Sequence, residues 1–114
     1  MAQIENLAHG GDLEAAFERS QQTPVWLFKH SLTCPISRRA WRQFEEFVAG
    51  RPADDTAFYG VVRIQEARPL SQQIAERTGI RHESPQALLL CHGQVEWHAS
   101  HGAIRVASLT EAAP

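Results

Sequence analysis

Apolar positions along this chain follow two rhythms. PVWLFKH (24–30) is a nearly continuous apolar run, the pattern of a strand buried on both faces. TAFYGVVRI (56–64) carries Val61, Val62 and Ile64, whose branched side chains predict a second strand. QALLLCH (86–92) and VEWHAS (95–100) predict two more, joined by a tight hairpin turn at His92-Gly93. The stretches between them have helical spacing. In GDLEAAFERS (11–20), Leu13, Ala16 and Phe17 share a face and Asp12 is placed to cap it. In PISRRAWRQFEEFVAG (35–50) the apolar stripe is Ile36, Ala40, Phe44, Phe47 and Val48, and Gly50 with Arg51-Pro52 stops it. RPLSQQIAERTGI (68–80) has Pro69 in its first turn and Gly79 at its end. RPADD (51–55) reads as a loop, and AIRVASLTEA (103–112) predicts a closing helix.

The order is helix, strand, helix, strand, helix, strand, strand, helix. Strands connected through helices run parallel; the pair joined by a tight turn runs antiparallel. The expected architecture is an α/β fold: a four-stranded mixed sheet flanked by helices on both faces. Thioredoxin-like domains have this element order, and so do other small α/β folds.

Composition narrows the function. At 114 residues the chain is expected to form a single domain, 1–114, with a core that needs no staples. A net charge of −2 argues against a general nucleic-acid surface. No apolar run approaches the roughly 18 residues of a membrane span. MAQIENLAHGGD lacks the basic-then-apolar order of a signal peptide. Two cysteines are too few for a disulfide scaffold, so a cytoplasmic location with reduced thiols is expected. Trp26, Trp41 and Trp97 read as packing residues.

The chemistry gathers at HSLTCPISRRAW (30–41). Pro35 suits the first helical position and puts Cys34 at the N-cap. The N–H groups of Ile36 and Ser37 then lack intrahelical partners and can point at the Cys34 sulfur. Together with the helix dipole they favour a thiolate, the nucleophilic form. His30, Arg38 and Arg39 are near in sequence and are expected to add positive field. The plainer alternative makes Cys34 a small buried hydrophobe; its polar and basic neighbours argue against that. Ser37 occupies the place where a C-x-x-C site keeps its resolving thiol. Its hydroxyl either donates to the Cys34 thiolate or solvates the first turn. Cys91 lies six residues beyond Pro85, roughly 20 Å along a strand, whereas a disulfide needs Cα atoms within about 7 Å. Cys91 is therefore read as a small strand residue.

HESPQALLL (82–90) sets Pro85 directly before a buried strand, where this element order would keep a cis-proline beside the cysteine. Ser84 would offer its backbone to an extended ligand. His98 and His101 form an H-x-x-H, but residues three apart on a strand face opposite ways. No C-x-x-C pair is present, so neither a metal site nor a bound cofactor is expected.

FKHSLTCPIS (28–37), RPLSQQIAERTGIRHESPQALLL (68–90) and VEWHASHGAI (95–104) together resemble the monothiol bacilliredoxins, the YtxJ-like bacillithiol system redox-active proteins. The resemblance runs in order over residues 24–109. It implies a thioredoxin-like fold, Cys34 as nucleophile, Ser37 as the silent second position and Pro85 as the cis-proline. It implies removal of bacillithiol from protein mixed disulfides, with bacillithiolated client proteins as partners and bacillithiol itself as the thiol cosubstrate. Bacillithiol carries carboxylates on a malate group, which Arg38, Arg39 or Arg81 could pair with. Two positions depart from the family pattern: Cys91-His92 before the hairpin glycine, and Gly102-Ala103 after ASH. A different reading is a non-catalytic thioredoxin-like binding or adaptor domain with a regulatory thiol. A cluster-binding monothiol glutaredoxin would carry C-G-F-S, which CPIS does not match.

Overall fold

A computed structural model describes residues 3–114. Its elements are β1 (Ile4–Asn6), α1 (Gly10–Arg19), β2 (Val25–His30), α2 (Pro35–Ala49), β3 (Phe58–Arg63), α3 (Arg68–Thr78), β4 (Gln86–Cys91), β5 (Gln94–Ser100) and α4 (Val106–Ala112), with a 3-10 turn at His101–Ala103. One mixed sheet orders the strands β1-β3-β2-β4-β5. β2 and β3 are parallel, β4 is antiparallel to β2, and β5 is antiparallel to β4.

The sheet has five strands where four were expected. The fifth is β1, which pairs parallel with Tyr59–Val61 at the sheet edge. Only three residues long, with Glu5 and Asn6 exposed, it has no alternation to read. Pairing with β3 makes it a strand, and Leu7 extends the contact by donating to the Val61 carbonyl at 2.9 Å. Two helix starts also differ. His9, not Asp12, is the α1 N-cap. Asp12 reaches back from the first turn to accept the N–H groups of Ala8 and His9 at 2.9 and 3.0 Å, which holds its carboxyl below the ordinary range. The closing helix begins at Val106 rather than residue 103, because His101 takes the left-handed region (φ 53°) and opens the 3-10 turn.

β2 divides the interior. Val25 and Leu27 join Leu13 and Phe17 of α1 and Leu70 and Ile74 of α3 in one cluster. Trp26 and Phe28 join Phe44 and Phe47 of α2 and Leu109 of α4 in the other. Helices therefore cover both faces. Each such large buried side chain contributes about 2 kcal/mol of transfer free energy. At the far end, His92 (φ 54°) and Gly93 (φ 77°) make the left-handed hairpin turn. Their N–H groups donate to the Ser20 carbonyl and hydroxyl at 2.7 and 2.9 Å, tying the hairpin to the end of α1.

Candidate active site

The carboxyl end of β2 feeds α2 through Ser31–Thr33. Cys34 is the α2 N-cap in extended conformation (φ −103°, ψ 122°), with Pro35 behind it in the first turn. Its carbonyl accepts the Arg38 N–H at 3.1 Å. Its thiol is free and half-buried and makes no capping hydrogen bond. The loop is braced from a neighbouring segment. The Gln65 side chain accepts the Leu32 N–H at 2.9 Å and donates to the Ser31 hydroxyl at 3.0 Å. Leu32 and Ile36, on either side of Cys34, are the large apolar side chains that stay exposed among the described residues, at 39% and 54%.

Ser37 does neither of the two things expected of it. It is fully buried. Its Oγ accepts the Ser31 N–H at 2.9 Å and lies 2.8 Å from Nδ1 of His30. Its bonds therefore fasten the loop to the last residue of β2. His30 also departs from expectation. It is buried at 6% exposure and stacks on Trp41 with centroids 5.3 Å apart and planes 14° apart. Burial, then the nearby Arg63 charge, pushes it below the ordinary histidine range. A neutral imidazole adds no positive field, so sequence proximity misassigned it. With its proton on Nε2, the ring accepts the Ser37 hydroxyl.

The Ser84–Pro85 peptide is cis. Gln86 sits opposite Lys29 in the β2–β4 ladder, so Pro85 stands at the same end of the sheet as the β2–α2 loop. The Pro85 carbonyl accepts the His101 N–H at 3.1 Å, which ties the 3-10 turn to it. The Ser84 hydroxyl is buried with no partner among the described residues.

The arginines separate. Arg38, Arg39 and Arg81 are all exposed. Arg39 lines a cavity of about 600 Å³ beside the first turn of α2; Arg38 and Arg81 do not. Arg105 and His101 line it from the other side. Sequence reasoning passed over Arg105, since a helix cap carries no periodic signal. Cys91 ends β4 next to the hairpin, where Leu90 faces Val25, at the opposite end of the sheet. Burial and then Glu96 raise its thiol above the ordinary range.

One buried charge escaped the sequence reading. Lys29 is fully buried on the α1 and α3 face. Its Nζ lies 3.1 Å from His82 Nδ1, and the Ser71 hydroxyl lies 3.1 Å from the same nitrogen. Burial lowers Lys29 to about 8. Burial and the Lys29 charge lower His82 as well. The signal was available: Lys29 is the one charged residue inside an otherwise apolar strand.

The family described as "Monothiol bacilliredoxin BrxC" matches residues 5–109. Among solved structures, a candidate oxidoreductase with a thioredoxin fold is 37% identical, covers 96% of this chain and 92% of its own, and superposes with a TM-score of 0.84. A Malassezia sympodialis thioredoxin is 16% identical over 98% of this chain and 89% of its own, TM-score 0.77. Reduced Schistosoma mansoni thioredoxin pre-protein is 14% identical over 96% and 94%, TM-score 0.73. The last two show the fold alone. No helix of the described residues is long and apolar enough to cross a membrane.

Proposed function

We propose, from the premise that this chain belongs to the monothiol bacilliredoxin family, that it removes bacillithiol from protein mixed disulfides through Cys34. Family and fold carry a thiol redox role; the specific reaction is our reading. The observation that supports it most is the free Cys34 thiol at the α2 N-cap, with a buried serine where a resolving thiol would sit.

The Cys34 thiolate attacks the bacillithiol sulfur of the mixed disulfide. A Cys34–bacillithiol disulfide forms, and the client sulfur leaves with the electron pair and takes a proton. A second bacillithiol thiolate then attacks the bacillithiol sulfur of the adduct and releases Cys34. The client is reduced, and two bacillithiol molecules leave as their disulfide. Pro35 places the thiol at the cap. The exposed Leu32 and Ile36 supply apolar contact for the client, and the Ser84 backbone supplies strand-like contact. Ser37 cannot resolve the adduct, and Cys91 stands at the wrong end of the sheet. Reduced thiols make the cytoplasm the fitting compartment.

Mass spectrometry tests this directly. Bacillithiol disulfide should add one bacillithiol at Cys34, reversed by excess reduced bacillithiol. Cys34→Ser should abolish release of bacillithiol from a modified client, and Cys91→Ser should leave it nearly intact. An internal Cys34–Cys91 disulfide, or equal reaction with glutathione disulfide, would overturn the proposal.

A further inference from the structure

The cavity beside α2 has a built character that the redox reading alone does not use. Its volume, about 600 Å³, is in the range of small-molecule sites. Pro35, Ile36, Ala40 and the buried Ile104 give it apolar walls, and Arg39 of α2 and Arg105 at the α4 cap complete the lining. Among the described residues neither arginine pairs with a carboxylate. Both walls are fixed. The Gln43 side chain of α2 accepts the Val106 N–H at 2.9 Å, which pins α4 to α2. The Ser108 hydroxyl accepts the Arg105 N–H at 3.0 Å and donates to the Ala103 carbonyl at 2.7 Å. The 3-10 turn is held to Pro85. His101 also lines the cavity, and its Nδ1 lies 3.9 Å from the Glu83 carboxylate, which stands outside the lining. Arg39 and Arg105 are the arginines of the lining and form its attractive edge for an anion.

We infer that this cavity seats the carboxylate-bearing part of the small thiol, with Arg39 and Arg105 pairing with its two carboxylates while its sulfur reaches Cys34 across Pro35. The inference rests on the redox reading above and adds Arg105 as a specificity-determining residue. Two guanidiniums facing a dicarboxylate select it over a neutral thiol of the same reactivity. Gly102 offers an independent probe. It lines the cavity, a Cβ there would meet nothing within 4 Å, and its φ lies outside the left-handed region. A larger side chain at 102 therefore narrows the site without straining the backbone.

The readout is the ratio of Cys34 adduct rates with bacillithiol disulfide and with neutral hydroxyethyl disulfide. The wild-type ratio should exceed one and fall as salt is raised. Arg39→Gln with Arg105→Gln should lower it about tenfold, as two partly screened pairs would. Gly102→Leu should also lower it. Arg42→Gln, which removes one charge from α2 outside the cavity, should leave it unchanged. A wild-type ratio above one that survives both the double variant and Gly102→Leu overturns this seat and spares the redox proposal. A wild-type protein that forms no bacillithiol adduct overturns both.

Discussion

Lys29 and His30 are neighbours on β2, yet they belong to different worlds. Strand alternation sends His30 toward α2 and Lys29 toward α3. His30 is stacked on Trp41 and joined to Ser37. Lys29 is covered by His82 and Ser71. Both are buried, and burial lowers both. The consequences are opposite. A histidine lowered from its ordinary range is neutral at pH 7 and is buried without a charge. A lysine lowered to about 8 is still mostly charged at pH 7. The α2 face thus spends its buried polar atoms on fixing the loop that carries Cys34. The α3 face keeps an ammonium beneath the segment that leads to cis-Pro85, and stability is given up for it.

The largest test of this contrast is Ser37→Val. It removes the partner of two groups at once, the buried His30 ring nitrogen and the half-buried Ser31 N–H. Each unsatisfied group costs about 1–3 kcal/mol, so a loss of roughly 3 kcal/mol in urea unfolding is expected. Adduct formation at Cys34 should slow as well, because the loop before α2 loses its anchor. A variant as stable as wild type would show that the pair is ornamental and that the two faces do not differ in this way.

Lys29→Met should act in the opposite direction. His82 keeps the Ser71 hydroxyl near Nδ1, so removing the amine leaves no new orphan there, and a gain of about 2 kcal/mol at pH 7 is expected. The pH dependence is the sharper sign. The folded lysine is lowered to about 8 from 10.5. Between those values the unfolded chain holds more protons than the folded one, so wild-type stability gains from this group as pH rises and the gain is lost as pH falls through about 8. Tyr59 and Cys91 are raised by burial and act in the opposite sense at alkaline pH. They are common to both proteins and cancel in the difference. The advantage of Lys29→Met should therefore shrink from pH 8 to pH 10. A constant difference, or a less stable variant at pH 7, would mean that the amine is well solvated.

The same pair shows how far the amino-acid pattern reaches. Cys34-Pro35 announced a helix cap because proline at the first helical position leaves few other conformations. Gly93 announced the hairpin because its backbone enters the left-handed region freely. Those features are local. β1 was hidden because Ile4 alone cannot show alternation and its partner lies more than fifty residues away. His30 was read as a charge near Cys34, although alternation already assigned it an inward face. Ser37's bonds needed the loop to turn back on itself before they existed. Arg105 became a cavity residue only when Gln43 drew α4 against α2.

The smallest effect is the acid limb of His30. Its folded value is depressed, first by burial and then by Arg63, so its contribution is present above the unfolded value near 6.5 and is lost as pH falls through the folded one. His82 has the same sign, and the lowered carboxyls of Asp12 and Glu83 act only below about 4.5. Between pH 6.5 and 5 these two lowered histidines therefore act in the same direction. Protonation at His30 also reverses the Ser37 bond. Nδ1 becomes a donor, Oγ must accept from both His30 and Ser31, and the serine proton loses its acceptor. His30→Gln should be less stable than wild type at pH 7.5, since the stack on Trp41 is gone, and should lose less stability on going to pH 5. If wild type and His30→Gln decline in parallel while His82→Gln flattens the curve, the titrating histidine is on the Lys29 face, and the contrast between the two faces must be drawn the other way round.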